Sequence, residues 1–154
     1  MSGIESTLQQ IRDRAAAFEA LLEREGETLA KRDTEGMESL VREKLDGANA
    51  IEQLHAQLLS EVSTADGKQD PAQSLAAALA RNPSADRLWQ EAENTLKRVR
   101  GLNQKNGHQL MLQQRQTDQA LAIIHGGADH SGNATYGSDG KPRSDRVGQR
   151  HVEV

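Results

Sequence analysis

The sequence predicts an all-α chain: an elongated antiparallel bundle of three long helices with coiled-coil packing, a short linker helix and a flexible C-terminal tail. Three observations carry this. Apolar residues recur at alternating steps of four and three over two long stretches, a spacing that keeps a narrow seam facing a partner helix, and gather on one broad side of a 3.6-residue wheel over a third. Only 35% of the 154 residues are hydrophobic and 2% aromatic, enough for thin seams between helices but poor for a compact fold closed around a pocket. Beyond Gly126 the periodicity stops, which divides the chain into a helical domain, 1–125, and a tail, 126–154.

The first helix is expected over Ile4 to Leu29. Ile4, Leu8, Ile11, Ala15, Phe18, Leu22 and Leu29 form its seam, and Glu25 is a polar interruption. Ser2 is placed to cap the start by accepting a backbone N–H. Gly26 weakens the later turns by about 1 kcal/mol relative to alanine.

Lys31-Arg32-Asp33-Thr34 reads as a stop and a restart. Two bases suit a helix C-terminus, and Asp33 or Thr34 caps the next helix. In the second helix Met37, Val41, Lys44, Ala48, Ile51, His55, Leu58 and Val62 mark the seam, widened by Leu40, Leu45, Leu54 and Leu59. So short a turn makes the two helices antiparallel neighbours. Lys44 and His55 read as a lysine snorkelling past its neighbours and a histidine at a seam edge.

Between Ser63 and Pro83 the pairs Asp66-Gly67, Asp70-Pro71 and Asn82-Pro83 break the pattern. Ala72 to Ala80 is expected as a short helix, capped by Asp70 with Pro71 in its first turn. Asn82 and Pro83 supply the next cap and first turn, and Trp89 is an apolar anchor near that end.

Leu88 to Ile124 is the longest periodic stretch, roughly 55 Å as a helix, with an end expected to project beyond its neighbours. Val99, Leu102, Leu110, Ala120, Leu121 and Ile124 share a broad side with Leu96. Asn103 and Asn106 fall on that side as well. Buried amides need partners, so the two read as a structural polar layer that sets specificity. Neither amide titrates, and no nucleophile or carboxylate pair lies near them to make a catalytic site. Leu112 and Ile123 share a second face, suited to docking a partner helix, with Met111 toward the opposite edge of the main stripe.

Charge and composition narrow the function classes further. A net charge of −4 weighs against nonspecific binding to nucleic acid. With no cysteine, disulfides and thiolate chemistry are excluded, and the histidine spacing gives no metal site. No cofactor is expected and no enzyme. The N-terminus has no signal-peptide pattern and no stretch reaches the roughly 20 apolar residues of a membrane span, so the expected location is the cytoplasm, without membrane insertion. In the tail, Tyr136 is the conspicuous anchor for a partner pocket, and His151 to Val154 suits adding a short strand to a partner's sheet.

Three segments carry a family resemblance: LNQKNG at Leu102 to Gly107, TDQALAII at Thr117 to Ile124, and TYGSDGKP at Thr135 to Pro142. In this order and spacing they resemble the FlgN family, cytosolic chaperones of the flagellar type III export system. Glu43-Lys44 extends the likeness into the second helix, while His108 departs from it, since relatives carry an aromatic residue after Asn-Gly. The resemblance implies a chaperone that binds hook–filament junction proteins, prevents their premature assembly or degradation, and delivers them to the export gate. It implies cargo contacts at Leu110, Leu112, Leu121, Ile123 and Ile124, and a contact of Tyr136 with the export-gate protein. The alternative is a self-associating structural coiled-coil protein; a homo-oligomer of the free chain is compatible with either.

Overall fold

The computed structural model describes residues 2–66 and 70–126, and these form four α-helices with no strand among the described residues. They are α1 (Gly3–Ala30), α2 (Thr34–Asp66), α3 (Pro71–Arg81) and α4 (Pro83–Gly126). The chain divides into two compact units, Met1–Leu110 and Met111–Val154. Tyr136, His151 to Val154 and the expected tail lie outside the described residues.

The starts of α1, α2 and α4 are each fixed by a short polar side chain. Ser2 and Glu5 form a capping box at α1, Oγ of Ser2 accepting from the Glu5 N–H and the Glu5 carboxylate accepting from the Ser2 N–H. Asp33 caps α2 by accepting from the Gly36 N–H at 3.0 Å. Asn82 caps α4 by accepting from the Ala85 N–H at 3.2 Å. Asp70 sits at the cap position of α3 with Pro71 behind it, but its side chain makes no capping hydrogen bond, contrary to expectation. The rigid φ of Pro71 presets that first turn without it.

The turn between α1 and α2 closes through a Schellman pattern. Asp33 N–H donates to the Thr28 carbonyl at 3.2 Å and Arg32 N–H to that of Leu29 at 3.1 Å. Arg32 supplies the left-handed residue, with φ 53°. Side-chain pairs then fix the direction of α2. Thr7 donates to Glu61 at 2.9 Å near one end, and Lys44 reaches Glu25 at 3.2 Å near the other. Rising numbers on α1 therefore meet falling numbers on α2. Between α1 and α4 the numbers rise together: Arg12 meets Glu91 and Arg98 meets Glu19.

The core of the first unit collects Leu8 and Ile11 of α1, Leu58 and Val62 of α2, Leu75 and Leu79 of α3, and Ala85 and Ala92 of α4. At the other end Leu21, Leu22, Leu29 and Leu40 are buried. The seam of α2 differs from the expected one along its first half. Val41 and Leu45 are 58% and 61% exposed, and Ala48 and His55 are exposed too, while Leu40, Gly47 and Leu54 turn inward. Gly47 lies against Phe18 of α1 in this rotation: a Cβ there would stand 2.8 Å from Cδ2 of the ring, so the missing side chain admits it. His55 instead stacks on Trp89 of α4 at a ring separation of 6.3 Å.

Candidate protein-docking helix

Helix α4 carries both groups of residues that the sequence singled out. It is continuous across Asn106-Gly107. Ala85, Ala92, Val99 and Asn106 recur at steps of seven, and all four are buried. From Gly107 to His125 every residue is exposed or half-buried, so Asn106 is the last buried residue of α4 among those described.

The amide of Asn106 closes a polar cluster drawn from three helices. Its Nδ2 donates to the Leu22 carbonyl at 2.7 Å and to Oε1 of Glu25 at 3.0 Å. Glu25 is only 5% exposed, and both of its oxygens accept from Nζ of Lys44 at 3.2 Å. A buried carboxylate is tolerable when paired and hydrogen-bonded, and here it has a cation from α2 and an amide from α4. Gly26 makes the room, since a Cβ at that position would lie 3.0 Å from Oδ1 of Asn106. Asn103, expected beside Asn106 on the core-facing side, is exposed. They stand three positions apart, and over that step the helix carries Asn103 past the edge of the buried stripe.

Sequence reasoning reached Glu25, Lys44 and Asn106 separately, as an interruption, a snorkelling base and one of a pair of amides. The signal that joins them was present: each is a polar residue at a seam position. With α1 and α2 antiparallel, 25 and 44 fall opposite one another.

The distal side chains are apolar and open to solvent. In the first unit Leu110 is 49% exposed. In the second, Met111, Leu112 and Leu121 are 46%, 43% and 47% exposed, and Ile123 and Ile124 reach 77% and 73%. By helical spacing Leu121 and Ile124 share one face within the second unit, while Leu112 and Ile123 fall on the opposite one. The residues between are mostly uncharged amides: Gln109, Gln113, Gln114, Gln116 and Gln119, with only Arg115 and Asp118 charged from 109 to 124. Such a surface suits contact with another amphipathic helix, through apolar side chains rimmed by hydrogen-bonding groups. It offers no field for a polyanion.

Elsewhere the charged groups serve the scaffold. The Glu5 carboxyl is held below its usual range by the hydrogen bond from Asn82 and by the Ser2 N–H, which ties the starts of α1 and α4 together. Among the described residues no group of histidine, aspartate and glutamate is arranged to hold a metal ion. Nor, among them, is any helix long and apolar enough to cross a membrane.

Comparison with known proteins adds one finding. A family model described as FlgN protein matches residues 1–144. No curated protein and no solved structure matches the chain.

Proposed function

The chain belongs to the FlgN family of flagellar export chaperones, and from that premise we propose that it captures hook–filament junction proteins in the cytoplasm and delivers them to the type III export gate. The observation that carries the proposal is the uncovered apolar surface of α4. Leu110, Leu112, Leu121, Ile123 and Ile124 remain 43% to 77% exposed in a chain otherwise rich in polar residues.

The mechanism is stoichiometric binding. A subunit awaiting assembly exposes an amphipathic helical segment whose apolar side invites premature polymerisation or proteolysis. Laying that side on α4 removes both apolar surfaces from water at about 25 cal/mol per Å². An interface of about 1,000 Å² reaches the lower bound for a specific complex, and affinity then depends on a few well-packed anchors. Release follows when contacts at the export gate outweigh the chaperone's own, without turnover of any bond.

The scaffold is read as an antiparallel bundle of the three long helices with coiled-coil packing, and α3 as its linker. The helical chaperone domain is assigned to 1–125 and the export-apparatus contact to 126–154, with Tyr136 as its anchor. Support for the division comes from composition: glycine and short polar residues dominate after Gly126, too few apolar groups to offset ordering the backbone alone.

The test is calorimetric titration of the full chain and of a variant ending at residue 125, against a junction protein and against the cytosolic domain of the export-gate protein. The truncated chain is expected to keep cargo affinity and lose gate affinity. Equal losses with unchanged helicity refute the division. Failure of the full chain to bind either junction protein refutes the function. Light scattering during size-exclusion chromatography addresses the self-association reading, because a stable homodimer indifferent to cargo would favour it.

A further inference from the structure

Leu112 and Leu121 stand nine positions apart on α4, which at about 100° per residue puts them about 180° apart around the helix. Ile123 lies within about 20° of Leu112, and Ile124 within about 60° of Leu121. All four are exposed. An exposed glutamine falls on each line, Gln119 with Leu112 and Gln114 with Leu121, and neither line carries a charge. A helix packed against one neighbour shows a single apolar stripe about 100° wide, and one that is apolar on opposite sides is built to be enclosed. We propose that the distal part of α4 is clasped from both sides by two amphipathic helical segments of one partner chain. The proposal rests on the docking reading of α4 and adds the form of what docks there.

Area argues for two segments. Residues 111–125 make a rod about 22 Å long and about 11 Å across, with an accessible surface of about 1,000 Å² once a water radius is added. A stripe about 100° wide on that rod is roughly 300 Å². Counting both partners, one docked helix buries about 600 Å² and two bury about 1,200 Å², whereas a specific interface begins near about 1,000 Å². A single helix therefore falls short, and a pair suffices.

The occupant follows from the same geometry. A two-fold dimer uses one patch on both molecules, so a second copy of this chain would cover one side of each α4 and leave the other in water. Two separate partner chains would each hold on by a contact of about 600 Å², the size of a crystal-packing contact. Joined in one chain, the first segment to bind makes the contact of the second intramolecular. The glutamine on each line asks for a neutral hydrogen-bonding residue between the apolar anchors of each segment.

The experiment uses the full chain and a junction protein. A photo-crosslinking p-benzoylphenylalanine is placed at residue 112 or at residue 121, and crosslinked peptides are identified by mass spectrometry. The two positions are expected to capture two different segments of the junction protein, in a complex of one chain with one. Calorimetry on L112S/I123S and on L121S/I124S is expected to show about tenfold weaker binding for each, and at least a hundredfold for the four changes together. Capture of one and the same segment from both positions overturns the clasp, as does capture from one position alone or of a second copy of this chain. Undiminished affinity in either double variant overturns it too. The crosslinks decide if a variant loses helicity, since both crosslinking chains keep three of the four apolar residues. Absence of any complex with the unaltered chain overturns the docking reading itself, and the clasp with it.

Discussion

Gly26→Ala reverses the usual expectation for a glycine inside a helix. Alanine at an open helical position is favoured over glycine by about 1 kcal/mol. At residue 26, however, the added methyl meets Oδ1 of Asn106 at 3.0 Å, and the amide has little freedom to withdraw. Its Nδ2 is committed at 2.7 Å to the Leu22 carbonyl and at 3.0 Å to the buried Glu25. Moving it by a few tenths of an ångström lengthens a hydrogen bond to a charged group, of a kind worth about 1.5–3 kcal/mol. Taking about 2 kcal/mol for that loss against about 1 kcal/mol of helix propensity, Gly26→Ala is expected to destabilise by about 1 kcal/mol. In an Asn106→Ala background the obstacle is gone, and the same change is expected to stabilise by about 1 kcal/mol. Urea unfolding followed by circular dichroism gives both values, and the coupling of about 2 kcal/mol is the quantity sought. Gly101→Ala and Gly107→Ala are the controls, since a methyl at either position meets nothing within 4 Å. A Gly26→Ala chain as stabilised as these controls would refute the packing argument.

Other perturbations separate scaffold from surface. Leu58→Ala removes a fully buried side chain and is expected to cost about 2–5 kcal/mol, whereas Val41→Ser and Leu45→Ser stay within about 0.5 kcal/mol in the same urea assay. Leu112→Ser with Ile123→Ser should leave the melting temperature nearly unchanged and weaken junction-protein binding about tenfold by calorimetry, roughly 1.4 kcal/mol. The lowered pKa of Glu5 makes its contribution to stability fully present above the ordinary carboxylate value and lost as pH falls through the folded value below it. Glu5→Gln or Asn82→Ala should therefore flatten the acid limb of a melting-temperature profile and leave its neutral part with the same slope.

The local part of this fold was legible because it depends on neighbours in sequence. Four-and-three spacing is enough to make α1 and α2 helical, a one-sided apolar stripe does the same for α4, and Ser2, Asp33 and Asn82 cap because a short side chain reaches its own chain's N–H groups. The composition rules on cysteine, metal spacing and membrane length are equally independent of packing. Of the candidate site, Leu112 and Ile123 could be named from their angular positions on one helix, whereas Leu110, Leu121 and Ile124 fall by angle on the side expected to face the core, and the structure leaves them exposed. What they bind came from the resemblance of three short segments, and not from periodicity.

Packing decided the rest, because a hydrophobicity pattern assigns no weight to a missing side chain. Gly47 reads as a blank, yet it admits Phe18 on the inward face of α2, while Val41 and Leu45 face solvent and Leu40 is buried. Gly26 likewise reads as a weak point, though its missing side chain is what lets Asn106 approach α1 so closely. Glu25, Lys44 and Asn106 lie on three helices, so no window of sequence contains their mutual distances. The sequence by itself determined which stretches are helical, where they begin, and which of them carry apolar surplus. Only the tertiary structure decided how each helix is rotated and which polar groups meet, because those follow from volumes and hydrogen bonds between residues remote along the chain.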